Sequence, residues 1–226
     1  SNMPQAPDHF FRCSEINRLG PALMQDLMPP APLDPRSFAQ RANSGQAMVL
    51  DVRSYPAFSG LHIPGAWHID LAGSFATQAG WIIPPERDIL LVVEGMPQVA
   101  LAALQLRRVG LDRVTAYLDG GMLSWGANAL PVGRVPVISP VRAHELLESG
   151  QATLIDVRSV EEKTAVHAKG SIDIAWHDLR TRYRELDPRG RYILMCKGGQ
   201  RASIAASILK MKGFASVCNL AGGFLA

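Results

Sequence analysis

The sequence predicts an α/β protein made of two similar domains, each with a small parallel sheet flanked by helices. Three observations support this prediction: the chain repeats itself, short apolar runs typical of buried strands recur in both copies, and helical patterns separate these runs. Strands that alternate with helices pair in parallel, because each crossover returns the chain to the same edge of the sheet. The length of 226 residues suits two domains of about 100 residues each.

The internal repeat defines the domain boundaries. Residues 44–54 read SGQAMVLDVRS, and residues 149–159 read SGQATLIDVRS, 105 positions further on. The same offset relates three more pairs, which are Pro35 and Pro140, His62 and His167, and Gly65 and Gly170. Because these pairs keep their order, we predict an N-terminal extension over residues 1–32, a first domain over 33–133 and a second domain over 134–226.

Apolar patterns place the strands and helices of each domain. Strands are predicted at 48–51, 89–93 and 113–118 in the first domain, and at 153–156, 192–196 and 216–220 in the second. Helices are predicted over 98–109, 142–148 and 201–212, with a further short helix over 15–25. In the 201–212 helix the apolar residues stand at 204, 205, 208, 209 and 211.

The composition argues against several classes of protein. Hydrophobic residues make up 47% and charged residues 19%, and the net charge is only +3, so no nucleic-acid partner is expected. No apolar run reaches the roughly 18 residues of a membrane span, and no signal peptide opens the chain. Three cysteines without a C-x-x-C pair indicate a reducing, cytoplasmic location, and we expect no metal or other cofactor in this chain.

The stretch ILMCKGGQRASIAASILK, residues 193–210, contains the strongest candidate site. Cys196 ends a predicted buried strand and a helix begins near Arg201, so residues 197–200 form a loop at a helix N-terminus. Backbone N–H groups there have no intrahelical partners, and the helix dipole adds positive charge. The loop can therefore cradle an anion around the cysteine sulfur.

The residues of this loop suit such a cradle. Gly198 and Gly199 permit the φ values that turn several N–H groups inward. Lys197 and Arg201 add positive charge, which should favour the reactive thiolate over the thiol. The alternative interpretation, a structural cysteine buried at a strand end, explains neither the glycines nor the basic residues.

The motifs D-V-R-S, H-x-x-G, C-x-x-G-x-R and G-G follow one another in an order that resembles the rhodanese family of sulfurtransferases, across residues 33–226. The resemblance implies two rhodanese-like domains, with Cys196 as the nucleophile that takes up a sulfane sulfur as a persulfide and passes it to a thiol or cyanide. It implies that a small sulfur-containing anion, such as thiosulfate or glutathione persulfide, is bound by Lys197, Gly198, Gly199, Gln200 and Arg201.

The resemblance also assigns supporting residues. Asp156 and Arg158 follow a strand and, in this family, mostly organise the fold through ion pairs and hydrogen bonds. We expect Glu162 to be the partner of Arg158. Four residues separate Cys196 from Arg201, one fewer than in phosphatases and arsenate reductases of the same fold, which favours sulfur transfer. A non-catalytic module that carries a persulfide or binds a partner remains the other alternative.

The first domain lacks this chemistry. Either Val93 or Glu94 aligns with the cysteine, and Gln98 aligns with the arginine of the motif. The domain resembles inactive rhodanese domains that accompany active ones, so we expect a structural or regulatory role. Residues 9–32 resemble the segment that leaves a metallo-β-lactamase-fold persulfide dioxygenase in fusions with tandem rhodanese domains. This resemblance implies a dioxygenase domain, with its iron site, as a partner in a longer chain.

The remaining candidates receive structural interpretations. His62, His68, His167 and His177 recur in both domains, so packing or turn roles are expected rather than metal binding. Cys218 lies within a predicted strand and is expected to be inert. Cys13 lies in an N-terminal stretch interpreted as irregular.

Overall fold

The computed structural model describes residue 7, residues 9–20 and residues 28–225. Helices of the first half are α1 (His9–Leu19), α2 (Pro35–Asn43), α3 (Tyr55–Gly60), α4 (Phe75–Ile82), α5 (Met96–Arg107) and α6 (Gly121–Ala127). Its strands are β1 (Ala31–Leu33), β2 (Ala47–Asp51), β3 (Trp67–His68), β4 (Asp88–Val92) and β5 (Val114–Leu118). Helices of the second half are α7 (Pro140–Glu148), α8 (Val160–Ala165), α9 (Leu179–Arg182) and α10 (Gln200–Met211). Its strands are β6 (Val137–Ile138), β7 (Thr153–Asp156), β8 (Ile172–Asp173), β9 (Arg191–Met195) and β10 (Ser216–Leu220).

These elements form two five-stranded sheets flanked by helices, which confirms the predicted α/β class. The strand order is β1-β5-β4-β2-β3 in the first sheet and β6-β10-β9-β7-β8 in the second. The central strands pair in parallel, with β4 beside β2 and β5, and β9 beside β7 and β10. The repeat in the sequence therefore corresponds to a repeat in topology.

The predicted element boundaries are nearly right, and their small errors have a physical cause. The six predicted strands form within one residue of their expected bounds. The helices α5 and α7 begin two residues earlier than expected, because Pro97 and Pro140 occupy the first turn, where a proline needs no hydrogen-bond partner. The N-terminal helix is predicted over 15–25 but forms as α1 (His9–Leu19), and residues 21–25 of that prediction lie outside the described residues.

The helix after Cys196 is deeply buried. All residues from 202 to 209 of α10 are buried, including the polar Ser203 and Ser207. Alanine and serine occupy the positions between the larger apolar side chains, and their small size allows close packing on every side. The helix packs against β9 and β10 and also against α3, β3 and α9. Its N-terminus is thereby held firmly at the end of β9.

By internal contacts, the chain divides into two compact units. One unit consists of Ser1–Ser54 and Ile69–Pro131, and the other consists of Tyr55–His68 and Val132–Ala226. The segment Tyr55–His68 thus belongs to the second unit, although the sequence repeat places it in the domain predicted over 33–133. None of the helices in the part of the chain that the structure describes has the length and apolar content that a membrane crossing requires.

The segment Tyr55–His68 is fixed within the second unit by buried hydrogen bonds. His68 is fully buried, its Nδ1 lies 2.9 Å from Ser203 Oγ, and its backbone N–H donates to Ser207 Oγ at 3.1 Å. The Phe58 ring stacks between His68 and His62, at 4.4 and 4.1 Å. These contacts fit the packing role expected for His62 and His68.

Candidate active site

Cys196 lies at the carboxyl end of a strand, where the sequence indicated it. It directly follows β9 and is only 2% exposed. Its Sγ accepts a hydrogen bond of 3.0 Å from the backbone N–H of Gly199. Because α10 begins at Gln200, the short loop curls around the sulfur at a helix N-terminus. A negative charge on the sulfur would be stabilised there by the N–H group and the helix dipole.

Gly199 gives the loop its shape. Its φ is +102°, in the left-handed region that favours glycine. Its carbonyl oxygen accepts a hydrogen bond of 3.1 Å from Nδ2 of the fully buried Asn219, a contact that the sequence did not predict. Gly198 is exposed and does not adopt a left-handed φ, so the prediction that both glycines supply unusual φ values is wrong for Gly198. One left-handed residue is enough to turn the chain into the helix.

Arg201 is engaged by an acidic side chain. Its Nη1 and Nη2 both donate to the carboxylate of Glu162, the second at 2.8 Å. This pairing lowers the pKa of Glu162 to about 2 and raises the pKa of Arg201, with a smaller contribution from Cys196 to the latter. The expected pairing of Glu162 with Arg158 is therefore wrong, since Arg158 is already bound elsewhere. The charge of Arg201 is partly offset, rather than wholly available to a substrate.

The partner of Arg158 is Asp156, the last residue of β7. Both are buried, with Arg158 Nη2 2.6 Å from Asp156 Oδ2, and this pairing raises the pKa of Arg158. The guanidinium also lies 3.9 Å from the centre of the Phe224 ring. The backbone N–H of Phe224 in turn donates to the carbonyl oxygen of Cys196 at 2.8 Å. The pair thus connects to the Cys196 loop through the chain segment that follows β10.

The glycine before Phe224 allows this segment to approach the loop. Gly223 has a φ of +61°, and a Cβ at this position would overlap the carbonyl oxygen of Cys196. The sequence shows the G-G motif, but it does not predict that this motif contacts the Cys196 loop. Repetition of L-x-G-G in both halves of the chain was the signal that could have indicated it.

The remaining predicted loop residues, Lys197 and Gln200, differ in exposure. Lys197 is exposed and forms no ion pair with any residue that the structure describes. Gln200 is half-buried as the first residue of α10. The structure therefore brings Gly199 and Arg201 to the sulfur side of the loop and leaves Lys197 at the surface, where a charged donor would first meet it.

The first unit has a different arrangement at the corresponding place. Val93 directly follows β4, as Cys196 directly follows β9. Val93, rather than Glu94, therefore occupies the position that corresponds to Cys196. Glu94 accepts hydrogen bonds from the N–H and hydroxyl of Ser54, the latter at 2.8 Å. Its own N–H donates to Oε1 of Gln98 at 2.7 Å. A valine and a carboxylate thus replace the thiol and the anion cradle.

The two remaining cysteines, Cys13 and Cys218, both lie in regular secondary structure. Burial raises the pKa of the Cys218 thiol to about 11, and this residue lies in β10 as expected. Cys13 lies in α1, so its assignment to an irregular stretch is wrong. Among the described residues, no three side chains of His, Cys, Asp or Glu come together as metal ligands.

The fold and the site together define a class: tandem α/β domains, of which one presents a buried cysteine in a loop at a helix N-terminus. The chain belongs to the rhodanese-like domain family, whose model matches residues 34–128 and 139–226. Both halves of the chain are therefore rhodanese-like, as the motifs indicated.

Individual relatives match parts of the chain. The putative sulfur carrier protein YrkF of Bacillus subtilis is 29% identical over 90 residues, 39% of this chain and 49% of the relative. The chain thus spans about half the length of that relative. The thiosulfate sulfurtransferase GlpE of Ectopseudomonas mendocina is 33% identical over 87 residues, 38% of this chain and 79% of the relative.

Solved structures show the same kind of likeness. The human single-domain sulfurtransferase TSTD1 is 25% identical with a TM-score of 0.37, over 40% of this chain and 92% of that one. A thiosulfate sulfurtransferase from Pseudomonas aeruginosa is 23% identical with a TM-score of 0.37, over 86% of this chain and 41% of that one.

Proposed function

We propose that the second unit is a sulfurtransferase that carries a sulfane sulfur as a persulfide on Cys196. The observation that carries the proposal is the buried Cys196 Sγ, which receives a hydrogen bond from Gly199 at a helix N-terminus. The sulfurtransferases among the relatives add support, and so does the absence of a cysteine at the corresponding place, Val93, in the first unit.

The first half-reaction loads the sulfur. The Cys196 thiolate attacks the outer sulfur of thiosulfate, the S–S bond of the donor breaks, and sulfite leaves with the bonding electron pair. The product is a Cys196 persulfide anion, so charge and atoms balance. The Gly199 N–H and the first N–H groups of α10, which have no intrahelical acceptor, stabilise the negative charge on sulfur before and after the transfer.

The second half-reaction transfers the sulfur from Cys196 to an acceptor. An acceptor thiolate or cyanide attacks the terminal sulfur of the persulfide, the S–S bond breaks, and the Cys196 thiolate returns. The product is an acceptor persulfide or thiocyanate, and the two half-reactions predict ping-pong kinetics. Lys197 attracts the anionic donor, while Arg201, held by Glu162, lies beside the sulfur.

The surroundings of the site favour sulfur over a larger oxyanion. A phosphoryl group needs positive charge on several oxygens, whereas the guanidinium of Arg201 already donates to both carboxylate oxygens of Glu162. A transferred sulfur atom carries a single negative charge and needs fewer positively charged partners than a phosphoryl group. Phosphate or arsenate chemistry therefore receives less support from this loop.

The proposed function also bears on where the protein acts and on which domain accompanies it. A cytoplasmic location fits the free cysteines, since thiols stay reduced there. We also propose a persulfide dioxygenase as a partner domain, on the resemblance of residues 9–32 to the connecting segment of such fusions. A dioxygenase that consumes persulfides would share substrates with a sulfurtransferase.

Intact mass spectrometry after brief incubation with thiosulfate tests the function. We expect wild-type protein to gain the mass of one sulfur atom, cyanide to remove it, and Cys196→Ala to lack it. Cys218→Ala is the matched control and should load normally, because the raised pKa of the Cys218 thiol keeps it protonated. A folded wild-type protein that gains no sulfur from thiosulfate or from glutathione persulfide would contradict the proposal.

A further inference from the structure

Asn219 is a fully buried polar residue whose side chain reaches the Cys196 loop. It lies in β10 opposite Leu194 of β9, and its backbone N–H donates to the carbonyl oxygen of Pro136 at 2.8 Å. Successive side chains of a strand face opposite sides of the sheet. Cys218 packs with buried residues of α7, so Asn219 faces the other side of the sheet, which α10 covers.

The Asn219 amide fixes a peptide group of the loop. Its Nδ2 donates to the carbonyl oxygen of Gly199 at 3.1 Å, and the backbone N–H of Ser203 donates to the same oxygen at 2.9 Å. Both lone pairs of this oxygen are thus occupied. The ring of Tyr55 also lies against Gly199, where an added Cβ would be 3.0 Å from the ring. The carbonyl group of Gly199 is therefore held in one direction.

The direction of this carbonyl group sets the direction of the next N–H. Gly199 and Gln200 are joined by a planar trans peptide, in which the C=O and N–H bonds point in opposite directions. Because the oxygen is turned toward Ser203 and Asn219, the Gln200 N–H points out of the N-terminal end of α10. No residue that the structure describes accepts a hydrogen bond from it. The Gln200 N–H is therefore available to an anion in the loop.

The other half of the Asn219 amide indicates that this side chain is not there for stability. Its Oδ1 is buried and has no hydrogen-bond partner among the described residues. An unpaired buried acceptor destabilises a fold, so an apolar side chain would suit the core at least as well. The reverse orientation of the amide would place two acceptors against each other at the Gly199 carbonyl. The N–H donor toward Gly199 is thus what asparagine supplies at this position.

The copy of the fold without a thiol lacks this amide. Tyr117 of β5 corresponds to Asn219, because each directly precedes the leucine of the L-x-G-G repeat and lies beside the strand that leads to the cysteine position. In that copy Val93 occupies the cysteine position. A tyrosine supports the same sheet, so the fold does not require asparagine there. The amide and the thiol occur in the same copy.

We propose that Asn219 is a positioning residue for sulfur transfer: its amide holds the Gly199–Gln200 peptide so that the Gln200 N–H donates to the outer sulfur of the Cys196 persulfide. The Gly199 N–H already donates to Cys196 Sγ. Two successive N–H groups thus bind the two sulfur atoms, and the second stabilises the negative charge that arrives on the outer sulfur. The inference rests on the proposed function, because only a loaded Cys196 carries a second sulfur.

Nuclear magnetic resonance of the wild-type protein tests this geometry without any substitution. After loading with thiosulfate, the Gln200 amide proton should move downfield and exchange more slowly with solvent, because it gains a hydrogen-bond acceptor. Removal of the sulfur with cyanide should reverse both changes. A Gln200 amide resonance that stays in place or moves upfield, in protein whose mass shows the added sulfur, would overturn the proposal.

Asn219→Ala tests the role of the amide. We expect the rate constant for loading at saturating thiosulfate to fall about tenfold, while the half-saturating thiosulfate concentration changes less than about twofold. A misplaced N–H affects the transition state more than it affects binding of the donor. The downfield shift of the Gln200 amide proton on loading should be lost as well. A side chain that only supported the fold would leave this shift in place.

Val217→Ala is the matched control. It truncates another buried side chain of β10 on the same side of the sheet, and it should load sulfur at the wild-type rate. Equal loading rate constants in the two variants would contradict the role of Asn219 and leave the proposed function standing. If Asn219→Ala does not fold, Asn219→Val keeps a strand-forming side chain without the donor, and the same tenfold loss is expected. Wild-type protein that gains no sulfur would instead remove the proposed function, and the role of Asn219 with it.

Discussion

At the scale of residues, the repeat provides a comparison within one chain. The ion pair at the strand end is kept in both copies, as Asp51 with Arg53 and as Asp156 with Arg158. The residues around the thiol are not kept: Cys196, Glu162 and Arg201 correspond to Val93, Ala57 and Gln98. The aspartate–arginine pair therefore serves the fold of each copy. The glutamate–arginine pair occurs only where the cysteine does, and we assign it to positioning the Cys196 loop.

Glu162→Gln tests this assignment through its pH dependence. The folded pKa of about 2 lies below the ordinary value of 4.5, so the carboxylate stabilises the fold fully above about pH 4.5. That contribution is lost as the pH falls toward 2. We expect Glu162→Gln to lower the free energy of unfolding by about 1–3 kcal/mol at pH 7, with the difference vanishing near pH 2. Urea unfolding of both proteins at several pH values measures this difference in unfolding free energy.

Glutamine can still cap α8 through Ser159, so this substitution removes the charge and leaves the capping box. The matched control is Glu145→Gln, which breaks an exposed pair with Arg142 and should change stability by less than about 1 kcal/mol. A difference between Glu162→Gln and wild type that stays constant down to pH 2 would contradict the assignment.

At the scale of elements, the connection from β9 to α10 is supported by the segment after β10. Gly223 lies against the carbonyl oxygen of Cys196, and Phe224 donates to the same oxygen. The first unit repeats the arrangement, since a Cβ at Gly121 would lie 3.1 Å from the carbonyl oxygen of Val93. The paired glycines thus support the strand-end loop in both copies, with and without a thiol.

Gly223→Ala should therefore disturb the Cys196 loop. An alanine must adopt a φ of +61° and also displace the loop backbone, so we expect the unfolding free energy to fall by about 2 kcal/mol or more. The rate of sulfur loading from thiosulfate should fall about tenfold or more, because the Gly199 N–H moves relative to the sulfur. Stopped-flow loading and urea unfolding of the same sample measure both effects.

Gly121→Ala is the matched control for this substitution. Gly121 has a similar φ of +56°, but a Cβ there would lie 3.1 Å from the carbonyl oxygen of Val93 and would not overlap it. Gly121→Ala should therefore destabilise the protein but load sulfur at the wild-type rate. If the two variants slowed loading equally, the effect of Gly223→Ala would be general destabilisation, and the local role would be wrong.

At the scale of the whole molecule, one fold occurs twice, and one copy carries the thiol. The loop after β4 has three residues before α5, and the loop after β9 has four before α10. Glu94 also places a carboxylate in the first of these loops. We therefore predict that Val93→Cys, made in the Cys196→Ala protein, gains no sulfur from thiosulfate. Mass spectrometry checks this, and a cyanide-removable sulfur on the double variant would show that a cysteine alone is sufficient.

Most of the fold could be predicted from local information. Apolar runs such as 89–93 and 192–196 predict buried strands because both faces of a covered parallel sheet exclude water. The repeat then predicts that the second half copies the first. The position of Cys196 follows too, since a residue that ends a parallel strand before a helix must lie at the edge where ligands bind.

The sequence by itself thus determined the class, the repeat and the residue at the centre of the site. Only the tertiary structure decided the partners: Arg201 with Glu162, 39 positions apart, Gly199 with Asn219, and Tyr55 with Gly199. Strand and helix patterns repeat every few residues and can be read locally. Side-chain partners between distant segments depend on how loops curve and helices pack, and these distances are fixed only when the whole core has formed.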